Sequence, residues 1–372
     1  MQIAVIKEQK EGEGRVAATP ENVRKMVEAG NDVLVENNAG AGAGFTNDEY
    51  VEAGGKLVSH KDGWDADLII KVKEPDEEEY KYFKKGQIIW GFQHLASSKP
   101  TVEAMIKAGT TAIGGETIVK DGKLELLAPM SAIAGRRSVI MGAYYLEAQH
   151  KGEGILLPGI NVPGIHAGRV VIFGGGNAAR NAAQLALGMG CSVVIIELND
   201  DRIKELENEF KGQDLRVVKS NEENLAKEIK EADIFISTIL IPGSRPPKLV
   251  KEYMIKSMKP GSVVVDVAID QGGTVETIDK PTTIDDPIFI KDGIVHYAVP
   301  NQPGAVPRTA TMALAAGNID YLLEIADKGI DEAIKTDDAL ASGVNVYEGK
   351  VTNKGLADSL DLPYSELSDS VN

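Results

Sequence analysis

Residues 169–197, RVVIFGGGNAARNAAQLALGMGCSVVIIE, constrain the fold more than any other stretch. An apolar run, Val170 to Phe173, meets Gly174-Gly175-Gly176. A helix-forming stretch, Asn177 to Leu187, follows, and a second apolar run, Val193 to Ile196, ends in Glu197. Strand, glycine turn, helix, strand and acid in that order predict a βαβ unit with a phosphate-binding turn. Gly174 permits the tight turn and Gly176 lets the main chain approach a pyrophosphate. The N–H groups opening the helix at Asn177 and Ala178 favour negative charge there. Ala179 holds the third position, where only close packing of helix on strand is required. Glu197 lies 23 residues after Gly174, where a carboxylate accepts hydrogen bonds from a ribose diol and repels a 2′-phosphate, so NAD is expected rather than NADP. The other reading of a triple glycine, a purely structural turn, leaves the βαβ fold unchanged.

A chain of 372 residues is long for one core, so two domains are expected. The composition, 43% hydrophobic and 26% charged, is that of an ordinary globular protein. With 40 basic against 56 acidic residues the net charge is −16, which disfavours nucleic acid and anionic membrane surfaces as partners. The lone cysteine, Cys191, excludes an internal disulfide framework and reads as buried filler beside a strand. The start, MQIAVIKEQKEGEGRV, has no apolar signal core, and no window of about 18 uninterrupted apolar residues occurs, so a cytoplasmic chain is expected. The histidines at 60, 94, 150, 166 and 296 do not fall at metal-ligand spacing, and no metal is expected.

Taken in order, QIAVI at 2–6 reads as a strand, and Thr19-Pro20 caps a helix that Gly30 stops. Val33 to Val35 is a strand, and the GAGAG that follows reads as a loop, with a cap at Thr46 beyond it. Leu68 to Val72 and Ile88 to Phe92 read as buried strands. The first carries Lys71 and Lys73 on one face, and the second delivers His94 at its carboxyl end, where open α/β sheets place ligands. TTAIGGETI holds a further short strand. LLAPMSAIAGRR reads as a loop around Pro129 that opens a long helix. Beyond the nucleotide motif, Val263 to Val267 is a strand that brings Asp266 and Asp270 to its end, and ATMALAAGNIDYLLEIADKGIDEAI, 310–334, reads as helical. Strands alternating with helices in both the first third and the middle predict two doubly wound α/β sheets.

With those residues laid out, the chain resembles the alanine dehydrogenase and transhydrogenase α-subunit family along nearly its whole length. The matching stretches are KEQKEGEGRVAATP, KVKEPDEEEY, APMSAIAG, GGGNAARNAA, KPGSVVVDVAIDQGG and NQPGAVPRTAT. The resemblance implies two Rossmann-like domains: a discontinuous catalytic domain, 1–127 with 304–372, and an NAD domain, 128–303, inserted within it. It implies that Arg15 and Lys73 hold the substrate carboxylate and carbonyl, that His94 is the acid/base group, and that Asp270 is the second catalytic group. Asn301 and Ser131 match positions lining the nicotinamide and substrate cleft, and Leu240, Ile269 and Asp270 are placed with them on the cofactor. The implied reaction converts a 2-amino acid, NAD and water into a 2-oxo acid, ammonia and NADH. The implied assembly is a homo-hexamer. Without the resemblance Arg15 would read as a solvated loop arginine, His94 as a hydrogen-bonded structural histidine, and Asp270 as a turn residue before Gly272-Gly273.

Alanine is the leading substrate, but several positions depart from the family pattern. Gly115 stands where an aromatic is common, Gln93 where an apolar residue is usual, Ala132 for Glu, and Pro300 and Gln302 within PNQPG. If they line the pocket, a larger or more polar amino acid is the alternative substrate. A transhydrogenase-like NAD(H)-binding subunit is the alternative from another class. Asp266, Lys71, Glu116 and His296 carry weaker functional readings.

Overall fold

The computed structural model describes residues 1–160, 162–239, 246–269 and 272–371. They form two compact units, Met1–Met130 with Gly304–Asn372, and Ser131–Pro303.

In the first unit β1 (Gln2–Val5), β2 (Asp32–Glu36), β3 (Lys56–Val58), β4 (Leu68–Lys73), β5 (Ile88–Phe92) and β6 (Thr111–Gly114) pair in parallel. Their apolar residues are continuous rather than alternating because both faces are covered: Ile3, Val5, Leu68, Ile69, Ile70, Ile89 and Trp90 are buried. Each such side chain contributes about 1.5–3 kcal/mol on burial. The helix Pro20–Glu28 starts where the sequence places it. The Thr19 side chain accepts the Asn22 N–H, and Val23 and Met26 face inward. GAGAG folds as a short turn, Ala41–Ala43, and Thr46 caps the next helix, Asn47–Glu52. A small antiparallel pair, β7 (Val119–Lys120) and β8 (Lys123–Leu124), precedes the helix Leu127–Tyr145. The expected loop around Pro129 is therefore the first turn of that helix. Proline is tolerated there because the N–H it lacks would have no intrahelical partner.

The second unit holds β9 (Arg169–Phe173), β10 (Ser192–Glu197), β11 (Leu215–Lys219), β12 (Ile234–Ser237), β13 (Val263–Asp266), β14 (Ile288–Lys291) and β15 (Ile294–Tyr297). The order is β11-β10-β9-β12-β13-β15-β14, parallel except for β14 on β15. Val170 and Ile172 pack in one core cluster and Val171 and Phe173 in the other, as expected of a strand buried on both faces. Cys191 is buried, its thiol 3.7 Å from the Leu157 carbonyl and pushed up to about 11 by burial.

The chain then returns to the first unit through the helix Pro307–Lys328 and two strands that the helical reading of the tail did not contain, β16 (Val344–Tyr347) and β17 (Lys350–Val351). They complete an eight-stranded sheet of order β17-β16-β6-β5-β4-β1-β2-β3, with β16 antiparallel to β6. Strand order reverses between β1 and β4 in this sheet and between β9 and β12 in the other. Open α/β sheets bind ligands at such points, beyond the carboxyl ends of the strands.

Candidate active site

In the second unit, Gly174 has φ +102, a left-handed conformation that a side chain would strain, and a Cβ there would come 2.8 Å from Thr238 Oγ1. Gly176 is exposed, and a Cβ on it would meet nothing within 4 Å, so its main chain faces open space at the start of the helix Asn177–Gly188. Asn177 and Ala178 form the half-buried first turn, and Ala179 is fully buried against the sheet. Glu197 ends β10 on the same side. Its Oε1 accepts the N–H groups of Leu198 at 2.6 Å and Asn199 at 2.8 Å, while Oε2 lies over the turn, 2.5 Å from where a Cβ on Gly175 would be. Arg202, which the sequence reading passed over, donates its Nε–H to the Gly175 carbonyl at 2.6 Å. A cavity of about 400 Å³ is lined by Gly175, Gly176, Glu197, Asn199, Arg202 and Glu205, with Asp201 at its edge. A glycine turn open to approach, helix N–H groups and a fixed carboxylate 23 residues on fit the pyrophosphate and ribose of NAD.

In the first unit, Lys73 ends β4 and His94 follows β5, both at the carboxyl edge beside the order reversal. Arg15 comes from the loop after β1. It is buried, and Glu13 holds its Nε at 2.7 Å and Nη2 at 2.5 Å, so the guanidinium is an oriented cation rather than a solvated one. The three share one electrostatic neighbourhood. Burial, and then the charge of Arg15, push the Lys73 ammonium below the usual lysine range. Burial, and then the charge of Lys73, push His94 down to about 4. Before substrate arrives, His94 is therefore a neutral imidazole at pH 7.

Lys71 and Lys73 do not share surroundings, because the register of β4 on β5 shifts between Ile70 and Lys73. Lys71 is buried against Glu79, with Nζ 2.6 and 2.8 Å from its two oxygens. Burial opposes the Lys71 charge, but Glu8 and Glu79 outweigh it and its pKa is pushed up. Two further acids reach main-chain N–H groups at these strand ends: Glu8, which the sequence reading passed over, and Glu116, which carried only a weak functional reading. Glu8 accepts the N–H of Val72 at 2.6 Å and of Lys73 at 3.4 Å, and burial raises it to about 7. Glu116 accepts the His94 N–H at 2.7 Å and is also raised to about 7 by burial. In the second unit, buried Asp266 plays a similar part for the loop after β13, accepting the N–H of Ala268 at 3.2 Å and of Thr274 at 3.1 Å. His296 is buried and bonded to Thr277 at 2.8 Å and to the Ile294 carbonyl at 3.0 Å, a structural setting.

Of the remaining expected residues, Ser131 is half-buried in the first turns of the helix Leu127–Tyr145, and Asn301 takes a left-handed conformation with φ +52. Ile269 packs its side chain in the second unit's core. Asp270 and Leu240 lie outside the described residues. The positions expected to reshape the pocket have internal partners. Gln93 is fully buried and donates to the Ile89 carbonyl at 2.7 Å, and Gln302 bonds Arg137 and, at 3.4 Å, the Val299 carbonyl. A Cβ on Gly115 would stand 3.1 Å from the Phe92 ring.

Together the two sheets and these sites define a two-unit α/β protein of the nucleotide-binding class. Models of the Alanine dehydrogenase/PNT N-terminal and C-terminal domains match residues 4–134 and 138–354. Alanine dehydrogenase 1 of Staphylococcus aureus is 64% identical over 371 residues, covering 99% of both chains. A solved L-alanine dehydrogenase superposes with a TM-score of 0.91 at 43% identity, covering 97% of this chain and 99% of the other. A transhydrogenase from Sinorhizobium meliloti superposes at 0.81 with 25% identity, covering 95% and 99%. The chain belongs to the alanine dehydrogenase/PNT family.

Proposed function

We propose that Arg15, Lys73 and His94 form the substrate site of an NAD-dependent amino-acid dehydrogenase. The reaction is oxidative deamination of L-alanine with NAD and water to pyruvate, ammonia and NADH, and its reverse. NAD, when bound, supplies the hydride acceptor at nicotinamide C4. The discontinuous unit is the catalytic domain and the central unit the NAD domain, where the Gly174 turn, Asn177, Ala178 and Ala179 receive the pyrophosphate and Glu197 accepts from the ribose diol. Ser131, Leu240, Ile269, Asp270 and Asn301 complete the nicotinamide side, Ile269 through its main chain.

The observation that carries the reading is the grouping of Arg15, Lys73 and His94 at the carboxyl edge of one sheet. The carboxylate of a 2-oxo or 2-amino acid is an anion, and two buried cations compensate its charge while orienting it. Lys73 lies against the carbonyl oxygen and raises the electrophilicity of the carbonyl. Neutral His94 takes the proton of the water that adds to the iminium carbon during deamination, and returns a proton when the carbinolamine loses water in the reverse direction. Substrate charge offsets Lys73 and Arg15, so binding itself raises the basicity of His94. Asp270 stabilises the positive charge of the iminium.

Because the Gln93 amide N–H donates to the Ile89 carbonyl and Gln302 bonds Arg137, L-alanine is favoured over a larger or polar amino acid. Retention of the Arg15, Lys73 and His94 set favours chemistry on a substrate over simple presentation of NADH. The homo-hexamer reading draws support from exposed apolar side chains between residues 140 and 165, among them Ile140, Tyr144, Leu156 and Ile160. No helix among the described residues is long and apolar enough to cross a membrane, and a cytoplasmic location is proposed with the acidic composition and single cysteine in its support. Replacing His94 with alanine tests the site. Amination of pyruvate is expected to collapse while NADH binding, followed by fluorescence, persists; unchanged turnover would remove His94 from the mechanism.

A further inference from the structure

The main chain of His94 is in an uncommon state. It has φ +42 and ψ +42, the left-handed region, directly after β5. A residue with a Cβ reaches that conformation only where surrounding structure dictates it. Once there, the main-chain N–H of His94 points at the neighbouring strand end, where Glu116 is the middle residue of the turn Gly115–Thr117 after β6. Oε1 of Glu116 accepts that N–H at 2.7 Å.

The carboxyl group is buried, and its second oxygen, Oε2, has no hydrogen-bond partner among the described residues. Space for it depends on Gly114: a Cβ there would stand 3.1 Å from Oε2 and 2.3 Å from Asn345 Nδ2. What the arrangement secures is one acceptor at one place. We infer that Glu116 is the positioning residue for His94: its Oε1 fixes the left-handed main chain at His94 and thereby aims the imidazole at the substrate carbon. The inference rests on the acid/base reading of His94 given above.

The test uses the full chain with three substitutions at 116. Glu116→Ala removes the acceptor, Glu116→Asp withdraws it by one methylene, and Glu116→Gln keeps an acceptor oxygen in place without the charge. Misaiming a reacting group by about 1 Å costs roughly a hundredfold in rate, so Ala and Asp are expected to lower kcat for pyruvate amination by about that factor. KM for pyruvate and NADH affinity should stay near wild type, and Gln should restore kcat. Should the alanine protein fail to fold, the Asp and Gln pair carries the comparison. The pH profile of the Gln protein should overlay the wild type, because a carboxyl accepts through Oε1 in either protonation state. On the residual rate of His94→Ala, adding Glu116→Ala should cost nothing further, since a group acting through His94 has nothing left to aim. Wild-type kcat in Glu116→Ala or Glu116→Asp, a Gln protein as slow as these, a lost pH limb in Gln, or full additivity with His94→Ala would each overturn the inference. A His94→Ala protein with normal turnover would instead overturn the acid/base reading beneath it.

Discussion

Replacing Glu197 by alanine removes the carboxylate at the end of β10 that is proposed to accept from the ribose diol. In the folded protein its two oxygens have separate tasks: Oε1 accepts the N–H groups of Leu198 and Asn199 at 2.6 and 2.8 Å, and Oε2 lies over the Gly175 turn. Losing a charge-assisted hydrogen bond to the diol is worth about 1.5–3 kcal/mol, roughly a 10- to 150-fold fall in kcat/KM for NAD. Removing the carboxylate also removes its repulsion of a 2′-phosphate, and Arg202, anchored on the Gly175 carbonyl, is then the charged group nearest the turn. Activity with NADP should therefore rise as activity with NAD falls. Glu197→Gln separates the two tasks, because its amide oxygen still serves Leu198 and Asn199 while the charge is gone. Steady-state kinetics with both cofactors give the ratio directly. If both variants keep the wild-type preference for NAD, the ribose contact assigned to Glu197 is wrong.

Two further outcomes follow from the buried charges. Burial and Lys73 hold His94 at about 4, so in the ligand-free protein its imidazole should stay neutral as pH falls from 8 and gain a proton only as pH passes through about 4. Histidine NMR reads this titration; a His94 signal titrating near the ordinary 6.5 contradicts the placement, and addition of pyruvate should move it upward. Glu79→Gln removes the carboxylate ion-paired with buried Lys71, beneath Trp64, whose ring centroid is 5.9 Å from Nζ, and leaves Glu8 as the main acid offsetting that charge. Stranding one partner of a buried pair costs about 3–5 kcal/mol, which urea unfolding should register as a lower midpoint, and an unchanged midpoint would refute the pairing.

The parts legible in the sequence are those set by neighbours along the chain. Gly174 needs a positive φ because of the turn it makes between Phe173 and Asn177, and Thr19 caps a helix three residues long in its signal, so short windows suffice. β16 and β17 were not legible: four and two residues long, they take strand structure from β16 pairing with β6, more than 200 positions earlier, and β17 pairing with β16. Pro129 misled because a breaker inside a helix and a starter in its first turn look alike without the preceding residues' geometry. At the site, Lys73 and His94 stand at strand ends where the strand reading placed them, whereas Arg15 lies in a loop and was marked only by the resemblance. The alternation rule failed at Lys71 and Lys73, where β4 shifts register on β5. Glu8 was missed, and Glu116 carried only a weak reading, for a different reason. Their partners are main-chain N–H groups of another strand, which carry no side-chain signature, and only the folded chain shows that a buried acid stands behind Lys73 and another behind His94.

The most direct test of the central claim is the initial rate of NADH oxidation by the purified protein with ammonium and pyruvate, set beside a panel of larger and more polar 2-oxo acids. Ammonium-dependent oxidation fastest with pyruvate is the predicted result. Turnover confined to a larger acid, or none across the panel while NADH still binds, would contradict it.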